Sequence, residues 1–236
     1  MKTLVLISAD TEWRIVRELF PEACPGQSPF GEYLDLTLRG HDVRFFQGGW
    51  GKVSAAASAQ YVLDHDQPDL LVNLGTCGGL QGRVEQGTII LVTRTLVYDL
   101  VEQMTDGVAE LAFYTTDLDL SWLPPALPHP VLRGLMVSGD RDIVVEDIPK
   151  LIALHDAIAA DWESAAIAWV AQRNTARTLI LRGVSDLVGT DGGEAYGKQA
   201  LFVERTRTIL TRLIDQLPDW LQAVQLTLAS KKIPPA

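Results

Sequence analysis

Four carboxylates stand out by type and placement: Glu12, Asp161, Glu163 and Asp186. Asp161 and Glu163 flank Trp162 at the head of an apolar, alanine-rich run that continues through Ser164-Ala165-Ala166-Ile167-Ala168. Asp186 follows Val184-Ser185 at the end of the strand-like stretch Thr178-Leu179-Ile180-Leu181-Arg182-Gly183-Val184. A carboxylate beside hydrophobic surface is unfavourable unless paired or used, because burial disfavours its charged form. Such groups at a helix start and a strand end suggest acid–base chemistry on a polar small molecule. Each also has a plainer reading: Glu12 and Glu163 as first-turn helix acids, Asp186 as a loop cap. Three of them at the ends of elements in one chain tip the balance, since a parallel sheet gathers such ends at one rim.

The elements that must position these groups can be read from the hydrophobic pattern. Residues 4–7 form a first strand and 12–20 a helix. Residues 33–38 and 42–47 form a hairpin across Arg39-Gly40-His41. An alanine-rich helix spans 51–63, bounded by Pro68, and is followed by a strand over 70–74 that ends in Gly75-Thr76-Cys77-Gly78-Gly79. Strands follow at 88–93 and 132–137, then helices at 147–155 and 165–173, the strand at 178–184, and helices at 198–216 and 219–230. Residues 98–130 are irregular and proline-rich, suited to a lid, a subunit contact or both. Residues 189–197 read as a glycine-rich mobile loop, and the last six residues as a frayed tail. Strands alternating with helices imply a single α/β domain over residues 1–236, with a mixed, mostly parallel central sheet flanked by helices.

Bulk composition narrows the function. The 236 residues suffice for one well-cored domain. With 47% hydrophobic and 21% charged residues, wholesale disorder is excluded. A net charge of −10 argues against binding a nucleic-acid backbone, which needs clustered Lys and Arg. Cys24 and Cys77 are too few for a disulfide framework. The apolar start, residues 1–7, is too short for a signal peptide or a membrane span. The expectation is a reduced, soluble, cytoplasmic protein that engages neither nucleic acid nor membrane.

Other motifs are weaker. Gly48-Gly49-Trp50-Gly51-Lys52 fails as a phosphate loop, because Phe46 stands where the first glycine belongs and Val53 replaces the magnesium-holding Ser or Thr. Its glycines more plausibly admit a close backbone approach to a ligand or partner. Gly75-Thr76-Cys77-Gly78-Gly79 follows a strand, as ligand loops do, but lacks dinucleotide spacing, and a tight packing turn explains it equally well. His41, His65, His129 and His155 are scattered without metal-ligand spacing, so a metal such as zinc is not expected.

Taken together and in order, these segments resemble the nucleoside phosphorylase/nucleosidase superfamily, and most closely the 5′-methylthioadenosine/S-adenosylhomocysteine nucleosidases. The similarity runs through Ile7-Ser8-Ala9 leading to Glu12, Gly49-Trp50-Gly51-Lys52-Val53, Asn73-Leu74-Gly75-Thr76-Cys77-Gly78-Gly79-Leu80, Val137-Ser138-Gly139-Asp140, the block at 161–168, and Arg182-Gly183-Val184-Ser185-Asp186. The resemblance implies that Asp186 protonates the purine at N7 and that Glu12 positions and deprotonates the attacking water. It also implies that Glu163 binds the ribose hydroxyls beside Asp161. Trp162 stands where the family usually has a methionine under the sugar, Thr76 replaces a serine, and Trp50 faces the 5′ substituent. Gly78, Ile143 and Ser185 complete the substrate-binding set. A homodimer without cofactor is also implied, acting in nucleoside catabolism and methionine salvage.

Breaking an N-ribosidic bond builds positive charge on the sugar and negative charge on the base. An acid at the base and a carboxylate-activated water on the opposite face lower both costs, as in inverting glycoside hydrolysis. Phosphorylases of the superfamily hold phosphate with an arginine just before the glycine loop, and here that position is Asn73. Without fixed cations a phosphate nucleophile lacks its anion site, so water is favoured, although Arg14 is nearby. The alternatives are a phosphate-dependent phosphorylase and a catalytically silent nucleoside-binding protein. Three departures bear on substrate choice: Arg141-Asp142-Ile143-Val144-Val145 in place of a phenylalanine-bearing segment, the bulk of Trp50 and Trp162, and Asp161 in place of a glutamate.

Overall fold

In the computed structural model, which describes residues 1–231, the apolar opening forms a fully buried strand, β1 (Thr3–Ile7). Next come α1 (Asp10–Leu19), the short β2 (Gly26–Gln27), β3 (Glu32–Leu38), β4 (His41–Gln47) and α2 (Gly51–His65). Then follow β5 (Leu70–Leu80), β6 (Ile89–Val97), α3 (Val108–Phe113), β7 (Thr115–Asp117), β8 (Leu132–Ser138) and α4 (Ile148–His155). The chain closes through β9 (Ala157–Asp161), α5 (Ser164–Arg173), β10 (Thr178–Gly189), β11 (Gly192–Gly193) and α6 (Gln199–Lys231). Of the expected C-terminal tail, residues 232–236 lie outside the described residues.

All strands belong to one mixed sheet in the order β11-β10-β6-β8-β9-β5-β1-β4-β3-β2, with β7 on β6. A further β10–β5 pairing curls the middle of the sheet back on itself, so β10, β6, β8, β9 and β5 close a ring. The longest ladder, β5 with β10, is parallel, as are β1 with β4 and with β5. The β3–β4 hairpin turns through Arg39 and Gly40, both at positive φ, which is the demand of a two-residue turn. Helices α1 and α6 cover one face through Ile15, Val16, Leu210, Leu213 and Leu217, and α2 and α5 cover the other through Ala55, Ala59, Ile167 and Val170. No helix of the described residues is long and apolar enough to cross a membrane.

Several sequence expectations change, and β9 was not foreseen. Within 98–130, expected as irregular, lie α3 and β7, which forms because β6 pairs with it. The glycine run after residue 74 is a strand, not a loop, because β10 and β9 crowd it from both sides. A Cβ on Gly79 would lie within 2.6 Å of Val84 and 2.7 Å of Val184. The alanine-rich β9 carries no β-branched signature beyond Ile158 and is a strand only because β5 and β8 pair with it. β10 runs on to Gly189 and pairs with β11, so the segment expected as a mobile loop begins with a hairpin. Finally, Pro218 does not end the last helix. A mid-helix proline costs about 3 kcal/mol, but Leu213, Ile214, Leu217, Trp220, Leu221 and Val224 continue one buried face across it. Each such side chain contributes roughly 1.5–3 kcal/mol. Arg39 also splints the site, donating to the Asp215 carbonyl at 2.6 Å and to Asp219 Oδ1 at 2.9 Å.

Candidate active site

At the carboxyl ends of β1, β5, β9 and β10 the sheet opens into a cavity of about 690 Å³. Its wall includes all ten residues expected to catalyse or bind substrate: Glu12, Asp186, Glu163, Trp162, Asp161, Thr76, Gly78, Ile143, Ser185 and Trp50. Strand ends are where an open α/β sheet presents side chains to a ligand.

Glu12 lies at the third position of α1, so its side chain turns back to the helix start, where Oε2 lies 3.4 Å from the Ala9 N–H. Its Oε1 crosses to β5 and accepts from the Thr76 N–H at 2.6 Å and from Thr76 Oγ1 at 2.9 Å. The plainer capping role and the reach into the cavity thus coexist in one side chain. Gly75 makes the crossing possible: a Cβ there would sit 2.0 Å from Arg182 Nη1 and 2.9 Å from Glu12 Oε1. Asp186 follows a register shift in β10, where Val184 faces Cys77 and Asp186 faces Gly78, leaving Ser185 as the extra residue. Such a bulge re-aims the side chains around it. Ser185 Oγ donates to Asp186 Oδ1 at 2.7 Å.

Asp161 ends β9, and its oxygens are spent inside the protein. Oδ1 accepts from Ser138 Oγ at 2.5 Å and from the Ser164 N–H at 3.1 Å, while Oδ2 faces Arg182 Nε at 2.9 Å. It caps α5 rather than reaching outward. Glu163 accepts from the Gly51 N–H at 3.1 Å and lies 3.7 Å from Arg182 Nη2. Gly51 has a φ of 81°, a left-handed conformation that aims this N–H and suits glycine alone. Burial pushes the Glu163 carboxyl up to about 8. Arg182 opposes the shift, while Asp161 and Glu12 add to it.

The sequence reading gave Arg182 no role of its own, yet it anchors the site. It is 1% exposed, donates to Ser164 Oγ at 3.0 Å and to Asn73 Oδ1 at 2.9 Å, and Asn73 in turn donates to the Leu6 carbonyl. Burial works against its charge, but Asp161, Glu12 and Glu163 more than offset that and hold the guanidinium more firmly protonated than a free one. An arginine inside an otherwise apolar strand run was the available signal, since burial of that charge requires carboxylates close by. Trp50, at the start of α2, stacks on Trp162 with ring centroids 4.8 Å apart and an interplanar angle of 21°. On the opposite wall, Tyr196 donates to the Ile143 carbonyl at 3.2 Å and ties the end of the glycine-rich segment across the cavity. Burial, with Asp142 and Asp186 adding to it, pushes that phenol up to about 12. Arg14 stays outside, exposed and bonded to Thr11 Oγ1.

A larger recess of about 860 Å³ lies at the other end of the sheet, beside the starts of β5 and β10. Its carboxylates are engaged locally, Asp69 by the Lys2 N–H and Asp117 by Arg94. Chemistry converges at the smaller cavity.

A family profile described as the phosphorylase superfamily matches residues 4–217. The chain belongs to the phosphorylase superfamily. Within it, a 5′-methylthioadenosine/S-adenosylhomocysteine nucleosidase of Buchnera aphidicola is 27% identical over 200 residues, covering 75% of this chain and 84% of the relative. The crystal structure of the Campylobacter jejuni nucleosidase of that name superposes with a TM-score of 0.74 at 18% identity, covering 92% of this chain and 98% of the other. The Colwellia psychrerythraea nucleosidase in complex with adenine gives 0.73 at 23% identity, over 93% and 96%. In this superfamily member the fold is therefore shared along nearly the whole chain, while the sequence has diverged widely.

Proposed function

We propose that this protein hydrolyses the N-ribosidic bond of a purine nucleoside, 5′-methylthioadenosine, S-adenosylhomocysteine or a close relative. The observation that carries the reading is the convergence of Glu12, Glu163 and Asp186, from three separate elements, on one cavity above a buried arginine. Asp186, set opposite Gly78 by the β10 bulge, delivers a proton to the departing base. Glu12, fixed by Thr76, takes a proton from the attacking water, and Glu163 grips the ribose hydroxyls beside it. Arg182 orients the two glutamates from below. Charge building up on the sugar is met by carboxylates and charge on the base by an acid, so both halves of the bond-breaking are stabilised.

Water is preferred to phosphate for a specific reason. Arg182 is engaged by Asp161, Ser164 and Asn73, Arg14 lies outside the cavity, and Arg141 in its wall is paired with Asp147, so none of the three arginines is placed to clamp an anion there. We further propose a cytoplasmic homodimer. Support comes from exposed apolar side chains at Val53 in the first turn of α2 and at Met104, Val108 and Phe113 before β7.

The test is a panel of methylthioadenosine, S-adenosylhomocysteine, adenosine, inosine and guanosine, incubated with and without phosphate, reading free base and sugar product. Free ribose products formed without phosphate support hydrolysis. Turnover only with phosphate, giving the sugar phosphate, replaces it with phosphorolysis. Tight binding without base release under any condition makes the protein a nucleoside binder.

A further inference from the structure

Resting on that reading, we propose that the preferred substrate carries a positive charge on its 5′ substituent, a sulfonium or ammonium group, seated on the exposed face of Trp50.

A nucleoside is a chain of three parts, and two of them are placed by the walls already described. The base lies at Asp186, and the sugar lies over Glu12, Thr76 and Glu163. Trp50 adjoins the ribose end, because the N–H of the next residue, Gly51, binds Glu163 directly. At that end of the cavity the wall includes the stacked pair of Trp50 and Trp162. One face of Trp50 is covered by Trp162, yet the side chain remains 62% exposed. A large, flat, electron-rich surface is thus presented to the cavity and to solvent, and an indole face is the best aromatic partner for a cation.

Charge in the cavity points the same way. Asp10, Glu12 and Asp142 line it as carboxylates, whereas Asp161 is paired with Arg182, Glu163 keeps a proton and Asp186 carries the one it delivers; the cationic side chains are Arg141, already paired with Asp147, and Lys198. A neutral thioether gains only contact area from this environment. An anionic 5′ group would face the carboxylates, whereas a cation gains both their field and the indole face.

The experiment compares 5′-methylthioadenosine with its S-methylated form, 5′-deoxy-5′-dimethylsulfonioadenosine, whose charge is permanent and independent of pH. Both are run with the wild-type enzyme and with Trp50→Leu and Trp50→Phe, and kcat/KM is read from adenine release. The wild type should favour the sulfonium by roughly five- to tenfold. Trp50→Leu should bring that ratio close to one, Trp50→Phe should hold an intermediate value, and added salt should slow the sulfonium substrate selectively. Equal use of both substrates, a preference for the thioether, or a ratio unchanged in Trp50→Leu overturns the proposal. Should neither substrate be cleaved, the hydrolase reading itself fails. The ratio of the two Kd values, read by tryptophan fluorescence, then decides the charge preference alone.

Discussion

Arg182 sits beneath the cavity among Asp161, Glu163 and Glu12, and its removal would leave buried carboxylates facing one another. Arg182→Met is expected to cost about 3–5 kcal/mol in urea unfolding. Arg182→Lys should recover only part of this, because an ammonium cannot reach Asp161 and Asn73 in the fixed geometry of a guanidinium. An unchanged urea midpoint in Arg182→Met would show that the carboxylates do not depend on it. Glu163 makes a separate prediction. With its carboxyl at about 8 in the folded protein against an ordinary 4.5, the folded state keeps a proton that the unfolded chain releases. Stability from this group is complete below about pH 4.5 and is lost as pH rises toward 8. Glu163→Gln should therefore flatten the fall of melting temperature across that window and melt higher than wild type at pH 8. A parallel shift at all pH values would argue against it.

The elements explain why some of this could be read in sequence and some could not. Glu12 was legible through the resemblance carried by Ile7-Ser8-Ala9 leading to it, since an acid in a helical first turn by itself reads as an ordinary partner of the helix dipole. The strand nature of residues 75–80 was not, since glycines signal turns, and only the flanking β9 and β10 make an extended path the best way to satisfy their backbone groups. β9 was invisible for a related reason: Ala157, Ala159 and Ala160 favour helix in isolation, and tertiary pairing overrides them. Arg182 could be seen but not assigned, because its partners come from β5, β9 and the start of α5, far away in sequence. Gly75 shows the same dependence on neighbours. Gly75→Ala should destabilise by about 1–3 kcal/mol by driving a methyl group into Arg182 and Glu12, and base release should fall with it. Wild-type stability and activity in Gly75→Ala would mean the two side chains have room to give way.

At the scale of the whole molecule, the curled sheet accounts for how residues 12, 76, 163 and 186 meet. The β5–β10 ladder brings residues 71–80 alongside 178–188, and β1 next to β5 delivers α1 to the same rim. The fold class and ten of the wall residues were legible from the resemblance carried by the motifs in order, whereas Tyr196 and Phe202 in the wall and the ring closure were not, because no local pattern encodes which strand pairs twice. The proposed homodimer predicts a light-scattering mass near twice 25.9 kDa. Val53→Glu, at a position 81% exposed in the single chain, should shift that mass toward the monomer; a monomer at all concentrations in the wild type would refute the assembly. The central claim is that Asp186 delivers the proton that releases the base. Its most direct test is adenine release from 5′-methylthioadenosine in phosphate-free buffer by wild type and Asp186→Asn, with nucleoside binding measured alongside. The account predicts retained binding with release slowed by roughly 10²–10⁴-fold; release by Asp186→Asn at the wild-type rate would contradict it.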